Sequence, residues 1–474
     1  MIVEGPHCAG CPNQTHGERL VTSDGLGSLG IMLVGDSPWI DEIRQGRPFA
    51  GTAGGMLDRL IRRLGLNRSD FLVTNSMWCR PPHLGWTDHP ERYPEAALSI
   101  THCRPYLDEL IARFQPKVIV TLGKVAAQRV LGTEIKLETW QGYLCNSPYG
   151  IPVIPTYHPS FIMQDKHKFS GAVLFALQQA REIAQRGFKR TPTSYVLDDQ
   201  TGVRDYLDQE CFDLLSVDIE TPESSKLDEE AYDEEALSYT IVRCGFSHTP
   251  ATACSFPWQE PYITLAMRAL SRATTVVMWN QNFDDPRLKA AGAHYGEIHD
   301  GMWAWHFLQS DLPKGLGFVA PFYFDGEPWK HLSSAQPALY NATDNDAALR
   351  AYLGVRSALV RQGRWQRWLA HCVRPLPVLQ GMGRRGVRID RPAQSELARQ
   401  LAESAEKALS QLQSEVPRPV LKRKTYKRPP ADLASDPGRY EIRTEPCPCR
   451  LNLDQIELDM GEAEWTNSPK PSQP

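Results

Sequence analysis

The sequence predicts two successive α/β domains, the first built on a doubly wound parallel sheet, followed by a helical stub. Three observations predict it. Between residues 29 and 188, short apolar runs of β type alternate with segments of helical spacing. That is the pattern of a parallel sheet covered by helices on both faces. After the basic, polar stretch Gln185 to Ser194 the pattern restarts, and beyond residue 366 only helical spacing remains. At roughly 150 residues per domain, a chain of 474 residues holds two to four domains.

The elements follow in order. Leu29 to Val34 is an apolar strand ending at Gly35-Asp36, and Met56 to Leu64 has helical spacing. Phe71 to Thr74 is a short strand. Val118 to Leu122 is another, leading through Gly123 into a helix that reaches Leu131. Ile151 to Tyr157 is a strand ending at His158-Pro159-Ser160. Polar groups at the C-terminal ends of parallel strands are where such sheets place their sites. In the second region Leu214 to Ile219 is a strand carrying Asp218, with Glu220 just after it, and Pro222 to Glu235 is an acidic, solvated insertion. Tyr239 to Phe246 and Ala251 to Phe256 form an antiparallel pair, and Thr274 to Trp279 leads into Asn280 to Asp284. Ala335 to Leu353 is helical and carries Tyr340, Asp344 and Asp346. Gln366 to Leu412 is helical with a turn at Gly386, and Leu397, Leu401, Leu409 and Leu412 share a stripe suited to core packing or helix pairing. Residues 415 to 474 form a polar, Pro-rich tail with the basic patch Lys422-Arg423-Lys424, Tyr426 and Lys427-Arg428. No internal repeat is present.

Composition narrows the function classes. Hydrophobic residues at 41% and charged residues at 23% belong to a globular chain and exclude general disorder. No apolar run reaches the ~18 residues of a membrane span. Met1 to Gly10 lacks a basic segment followed by an apolar one, so the expected location is cytoplasmic, without secretion. Lys and Arg number 52 against 56 Asp and Glu, a net charge of -4. A near-neutral total leaves nucleic-acid binding open, provided the phosphate-facing surface is local.

Eleven cysteines, an odd number, without an export signal argue against a disulfide framework. Cys8 and Cys11 form a C-x-x-C pair, and Cys79 and Cys103 each lie close to proline. Four thiolates hold either a tetrahedral zinc ion or an iron–sulfur cluster, and spacing alone does not choose. Cys145, Cys211, Cys244, Cys254 and Cys372 are expected to serve as small apolar residues, and Cys447 and Cys449 carry no assignment.

Two constellations carry chemistry. The first is Gly35-Asp36-Ser37-Pro38 with Gly46 to Gly54, a strand end and tight loop before a helix. Helix N-termini there suit anions such as DNA phosphates, and Phe49 offers a stacking face for an extruded base. Asn75-Ser76-Met77-Trp78-Cys79-Arg80-Pro81-Pro82, Cys103-Arg104-Pro105-Tyr106-Leu107, Leu122-Gly123, His158-Pro159-Ser160 and Cys8-x-x-Cys11-Pro12 follow in an order that resembles family 4 uracil-DNA glycosylases over about residues 5 to 185. The resemblance implies that Cys8, Cys11, Cys79 and Cys103 hold a 4Fe–4S cluster. It implies a flipped uracil stacked on Phe49 and read by Asn75, with Ser160 on the DNA. His158 would stabilise the departing uracil anion, and Asp36, where the family has Glu, would position water or balance the sugar cation. Trp39 stands where the family has glycine, and Ile43 where it has an acid.

The second constellation is Asp218-Ile219-Glu220, two carboxylates on one face of a strand, with Asp284 in Asn280 to Asp284 and Tyr340-x-x-x-Asp344 one helical turn apart. Two hard cations need several such oxygens. The set is similar to the DEDDy 3′–5′ exonucleases of family A DNA polymerases across about residues 195 to 365, including Asp300-Gly301-Met302 and Trp329-Lys330-His331. That resemblance implies an RNase H-like fold. It implies that Asp218, Glu220, Asp284 and Asp344 bind two Mg²⁺ or Mn²⁺ ions and that Tyr340 orients the attacking water. Pro375 to Leu379 and Arg385 to Asp390 resemble the start of a family A polymerase arm that fades after residue 414.

The resemblances together imply a glycosylase-like iron–sulfur domain (1–188), an exonuclease domain (195–365), a thumb-like helical stub (366–414) and a tail (415–474). They imply a DNA replication or repair protein of bacteriophage type, acting on single-stranded DNA or frayed 3′ ends beside a separate polymerase palm and fingers. Two alternatives stay open: a non-catalytic uracil or damage reader tethered to an exonuclease, and an exonuclease that trims RNA.

Overall fold

A computed structural model of the chain describes residues 7–13, 20–82, 86, 93–164, 166–222, 240–386 and 388–415. The acidic insertion from residue 223, the basic patch at 422–428, Cys447, Cys449, the rest of the tail and the side chain of Leu412 lie outside the described residues.

The first sheet is made of β1 (Ser23–Asp24), β2 (Ile31–Gly35), β3 (Phe71–Asn75), β4 (Val118–Leu122) and β5 (Val153–Thr156), in the order β1-β3-β2-β4-β5. β1 runs antiparallel to β3, and the other neighbours are parallel. Every residue of β2, β3, β4 and β5 is buried, as a sheet covered on both faces requires. The helices are α1 (Ile40–Gln45), α2 (Thr52–Arg63), α3 (Pro94–Phe114), α4 (Lys124–Leu131), α5 (Leu137–Trp140), α6 (Pro159–Met163) and α7 (Ser170–Arg186). The chain leaves β2 toward β3 on one side and returns to β4 on the other, so the crevice between the ends of β2 and β4 is a topological switch point.

Helix α3 was not among the elements expected from the sequence, where Cys103 stood out only as a cysteine close to proline. In the fold Pro105 lies inside the helix, and Ala96, Ser99, Cys103, Tyr106, Leu107, Leu110 and Ile111 form its buried face. That three-to-four spacing is the mark of an amphipathic helix, and burial of the stripe outweighs the helix-breaking tendency of one proline.

The second sheet contains β6 (Ser194–Leu197), β7 (Phe212–Glu220), β8 (Arg243–Ser247), β9 (Thr252–Pro257), β10 (Ala273–Met278) and β11 (Glu297–Asp300), in the order β11-β10-β7-β8-β9-β6. β7, β8 and β9 are antiparallel neighbours, whereas β10 and β11 run parallel to β7. This is an RNase H-like order with β6 added at the edge, parallel to β9. Its helices are α8 (Gln200–Leu207), α9 (Tyr262–Ser271), α10 (Gln281–Ala290), α11 (Gly301–Leu308), α12 (Leu316–Val319) and α13 (Pro337–Arg361). α13 lies so close to β8 that a Cβ on Gly245 would sit 2.3 Å from Asn341 Oδ1.

The larger hydrophobic core is continuous from the first sheet into residues 304–373. The stretch expected to be a plain linker is bonded to both halves. Arg190 donates to Leu144 O and ion-pairs with Glu327, while Thr191 N–H donates to Asp325. Cys211, expected to be an apolar filler, is exposed. After α14 (Trp365–Trp368) come α15 (Leu376–Arg385) and α16 (Arg391–Glu415). One compact unit runs to Leu379 and a second starts at Gln380. No described helix is long and apolar enough to cross a membrane.

Asp346 on α13 is fully buried and accepts from Arg350 Nε (2.9 Å), Tyr195 Oη (2.8 Å) and Ala251 N–H (2.8 Å). It therefore ties the edge strand and the β8–β9 turn to the helix. Asp346→Ala leaves Arg350 short of a buried partner and should cost about 3–5 kcal/mol. Urea unfolding followed by circular dichroism reads this, and a loss below about 1 kcal/mol would contradict the assignment.

Candidate functional site

The first site lies at the C-terminal ends of the parallel strands. Asp36 follows β2, Asn75 ends β3, Gly123 follows β4 and His158 follows β5. Asp36 Oδ1 accepts the Ala126 N–H at 2.8 Å, inside the first turn of α4. The helix dipole favours a carboxylate there. Gly123 has φ +110°, and a Cβ on it would lie 2.4 Å from Asp36 Oδ2, so a side chain would displace the acid. That N-terminus thus holds a carboxylate of the protein itself. Ser76 Oγ and Met77 N–H donate to Asp36 O at 2.6 and 3.1 Å, locking the β2 and β3 ends together.

Phe49 and Asn75 converge on Gly35, whose Cβ would meet Asn75 Oδ1 at 2.4 Å and the Phe49 ring at 2.5 Å. Phe49 is buried with a left-handed backbone, φ +51°. Such a conformation in an aromatic residue needs outside support. Glu42 supplies it, accepting the Phe49 N–H with one carboxylate oxygen and the Trp39 N–H at 2.7 Å with the other. Arg68 donates to the carbonyls of Pro48 and Phe49 while ion-pairing with Asp24 (3.0 Å) and Asp58 (3.1 Å). Burial raises the Glu42 pKa against the lowering effect of its bonds to Phe49 and Trp39. The family's loop acid falls on Ile43 in this sequence, with Asp41 and Glu42 nearby, and the carboxylate that enters the loop is Glu42. The available signal was its place three residues beyond the Trp39 cap. Asn75 is 1% exposed, and its side chain sits against Glu42, where it counters the upward pull of burial on that carboxyl.

The His158 ring stacks on Phe49 at 5.4 Å between centroids and 29° between planes. Its Nδ1 lies 2.7 Å from Ser160 Oγ and accepts the Ser160 N–H at 3.2 Å. A nitrogen that accepts carries no proton, so the neutral ring has its N–H at Nε2. Burial pushes the His158 pKa down to about 4. Ser160 is exposed and is bonded to His158.

The four selected cysteines come together. Cys103 on α3 shares a hydrogen bond with Cys79 and feels the charge of Cys11; the bond to Cys79, then burial, drives its thiol far above the usual range. Cys8 Sγ is 3.4 Å from Tyr106 Oη, one turn along α3, and Asn13 Nδ2 donates to Cys79 Sγ at 3.0 Å. Soft sulfurs near one another, Cys11 and Cys103 buried and Cys8 and Cys79 partly exposed, fit a thiolate-bound metal centre. The Arg80 guanidinium lies 5.3 Å over the Trp39 ring, so the cysteine-bearing segment reaches the rim of the pocket loop.

The second site sits at the end of β7. Asp218, Glu220 and Asp344 each offer an oxygen, all within 4.8 Å of one another. Asp284 joins less tightly, its Oδ1 accepting the Ile219 N–H at 3.2 Å. Asn341 Nδ2 donates to Asp218 Oδ2 at 2.8 Å. Lys330 Nζ reaches Asp344 Oδ1 at 2.5 Å and Tyr340 Oη at 3.1 Å, and Trp329 Nε1 donates to Asp344 Oδ1 at 2.9 Å. Burial, then the Asp344, Asp284 and Glu220 charges, hold Asp218 well above the usual carboxylate range. Burial and Asp344 push Glu220 up to about 7, and burial takes Asp284 to about 8 despite its bond to Ile219. Asp300 is a helix cap, taking four backbone N–H bonds from Asn280, Gln281, Met302 and Trp303. Asn341 was not singled out from the sequence, and Lys330 was named there only within Trp329-Lys330-His331, without a role. A hard, oxygen-only donor set that is frustrated on its own fits divalent cations such as Mg²⁺ or Mn²⁺.

Residues 24–181 match the family model described as the uracil DNA glycosylase superfamily. The chain is 31% identical over 181 residues to the type-4 uracil-DNA glycosylase of Thermotoga maritima, covering 38% of this chain and 90% of that protein. It is 31% identical over 205 residues to that of Sulfurisphaera tokodaii (40% and 84%) and 29% identical over 167 residues to that of Pyrobaculum aerophilum (33% and 80%). The Aedes aegypti Nibbler EXO domain aligns at a TM-score of 0.27 and 11% identity over 41% of this chain and 99% of that one, too distant for argument.

Two outcomes follow from the geometry. Because the folded His158 pKa is about 4 against an ordinary 6.5, its neutral burial favours folding above pH 6.5, and that contribution is lost as pH falls toward 4. Unfolding curves between pH 7 and 4 should be steeper for the wild type than for His158→Gln. Asp218→Asn, which keeps the Asn341 bond but removes one charge, should raise the metal-free melting temperature by roughly 2–4 °C and abolish the rise that Mn²⁺ produces. Differential scanning fluorimetry with EDTA and with Mn²⁺ measures both.

Proposed function

The chain belongs through its N-terminal domain to the type-4 uracil-DNA glycosylase family, and on that premise we propose that it excises uracil from DNA and, with its second domain, digests strands from the 3′ end. The observation that carries the first half is the convergence of Asp36, Phe49, Asn75 and His158 at one sheet edge, around glycines that admit no side chain. The base stacks on Phe49, and the Asn75 amide, able to donate and accept, reads its edge. As the bond from C1′ to N1 breaks, its electron pair moves into the uracil ring, and the Nε2–H of neutral His158 donates to the oxygen that gains the charge. Asp36, fixed by the Ala126 N–H, orients the water whose oxygen bonds to C1′ and balances the developing sugar cation. Cys8, Cys11, Cys79 and Cys103 would hold a 4Fe–4S cluster with a structural role, joining the N-terminal segment, the loop after β3 and α3.

Three carboxylates within 4.8 Å of one another on an RNase H-like sheet support the second half. Asp218, Glu220, Asp284 and Asp344 would hold two Mg²⁺ or Mn²⁺ ions, which supply electrostatic stabilisation to the attacking and leaving oxygens of phosphodiester hydrolysis. Burial and then Asp344 push the Tyr340 pKa up, so its phenol stays protonated and orients the water. The proposed organisation is residues 1–188 for excision and 195–365 for digestion. Residues 366–414 would form a polymerase-like arm, acting on single-stranded or frayed DNA beside a separate polymerase subunit.

One anaerobic preparation tests the proposal. It should be brown and contain iron, and Cys103→Ser should lose both. Uracil release from a single-stranded oligomer should fall at least ~100-fold in Asp36→Asn while 3′ digestion persists; Asp218→Ala or EDTA should do the reverse. Uracil binding without release would make the first domain a reader, and faster digestion of a matched RNA oligomer would make the second an RNA-trimming enzyme.

A further inference from the structure

Neither base release nor strand digestion requires the two halves to touch, yet they meet at the segment that holds Asp344. Trp329-Lys330-His331 points in two directions. Lys330 Nζ and Trp329 Nε1 both bond Asp344 Oδ1, at 2.5 and 2.9 Å. The flanking rings rest on the first domain. His331 stacks on Trp140 at 5.8 Å and 29°, and Trp329 meets the edge of Tyr143 at 5.9 Å and 82°. Tyr143 Oη donates to Gly317 O at 2.9 Å, and Asn146 Nδ2 donates to Glu327 Oε1 at 2.5 Å. Between them Gly142 has φ +77°, and a Cβ there would lie 3.3 Å from Pro321.

We infer that the turn Trp140–Tyr143 of the first domain is a positioning element for the carboxylate site of the second. It holds Trp329 and His331, and through Lys330 it fixes where Asp344 stands against Asp218 and Glu220. The second domain then has full divalent-ion affinity and full digestion only while the first domain is folded against it. This rests on the exonuclease reading. A site with several ligand oxygens loses affinity and rate when one of them drifts by a fraction of an ångström. Trp140 and Tyr143 touch no reacting atom; they are positioning residues.

Trp140 is the residue to change, because it is half-buried and stacks on an exposed histidine, whereas removing the buried Tyr143 would disturb the shared core. In the full-length protein, Trp140→Ala should weaken Mn²⁺ binding, read by the electron paramagnetic resonance of free Mn²⁺, about five- to ten-fold. It should lower kcat for 3′ digestion by a similar factor with KM for the oligomer unchanged. Iron content, melting temperature in EDTA and uracil release should match the wild type, and Trp140→Phe should restore both lost properties. His331→Ala should reproduce the loss from the other side, and the double variant should add nothing further. If Trp140→Ala lowers the melting temperature or uracil release, the His331→Ala and Trp140→Phe results decide by the same criteria. Unchanged Mn²⁺ affinity and kcat in Trp140→Ala and His331→Ala, with an active wild type, overturn the coupling alone. A wild type that neither binds Mn²⁺ nor digests DNA overturns the exonuclease reading and the coupling with it.

Discussion

Like charges have to be forced together, and the second domain is organised around doing so. Asp344 reaches Asp218 and Glu220 only because α13 lies flat on the sheet at Gly245, where no Cβ fits. Repulsion and burial oppose the arrangement, as the raised Asp218, Glu220 and Asp284 carboxyls record. What holds it is a ring of donors: Lys330 and Trp329 on Asp344, Asn341 on Asp218 and the Ile219 N–H on Asp284. The buried Asp346–Arg350 pair, one turn further along α13, anchors the same helix to the sheet edge. Stability is spent locally on a pre-formed anionic site and recovered from the surrounding core, a common distribution at functional sites.

The first domain solves a different problem, that of bringing neutral reading groups and one acid to a shared edge. Four parallel strands end at the same level, and glycines at Gly35 and Gly123 remove the side chains that would keep Phe49, Asn75 and Asp36 apart. The strained backbone of Phe49 is over-determined by Glu42 and Arg68. Such redundancy keeps the aromatic face in place, so in the proposed role little ordering cost would remain for binding. The cysteine segment contacts the same rim through Arg80 and Trp39, which ties the geometry of the pocket loop to the thiolate cluster.

Much of this was legible in the sequence. Strand positions such as Val118–Leu122 are runs of apolar residues long enough to be buried on both faces, and that pattern survives whatever the tertiary context. The glycosylase-type segments and the acidic pairs were visible because their spacing along one strand or one helical turn is local. Helix α3 was missed because Pro105 lies inside it, and a proline weakens the helical signal of the residues around it. Glu42 stood beside the position where the family pattern expects its acid, and only its spacing from Trp39 distinguished it from Asp41. Lys330 was named within Trp329-Lys330-His331, but its role was hidden because a lysine beside a tryptophan has no local signature of the carboxylate it will meet.

By itself the amino-acid sequence determined that the chain is two α/β domains with a helical extension, which side chains are candidates for the chemistry, and which of them share a strand or a helical turn. These are consequences of periodicity and short-range geometry, written within a few residues. Only the tertiary structure decided that Asp36 is fixed by the first turn of α4, that Glu42 rather than a residue beside it supports Phe49, and that a turn of one domain packs on the segment holding Asp344. Those contacts join residues far apart in the chain, and their existence depends on which surfaces meet after packing, something no local pattern encodes.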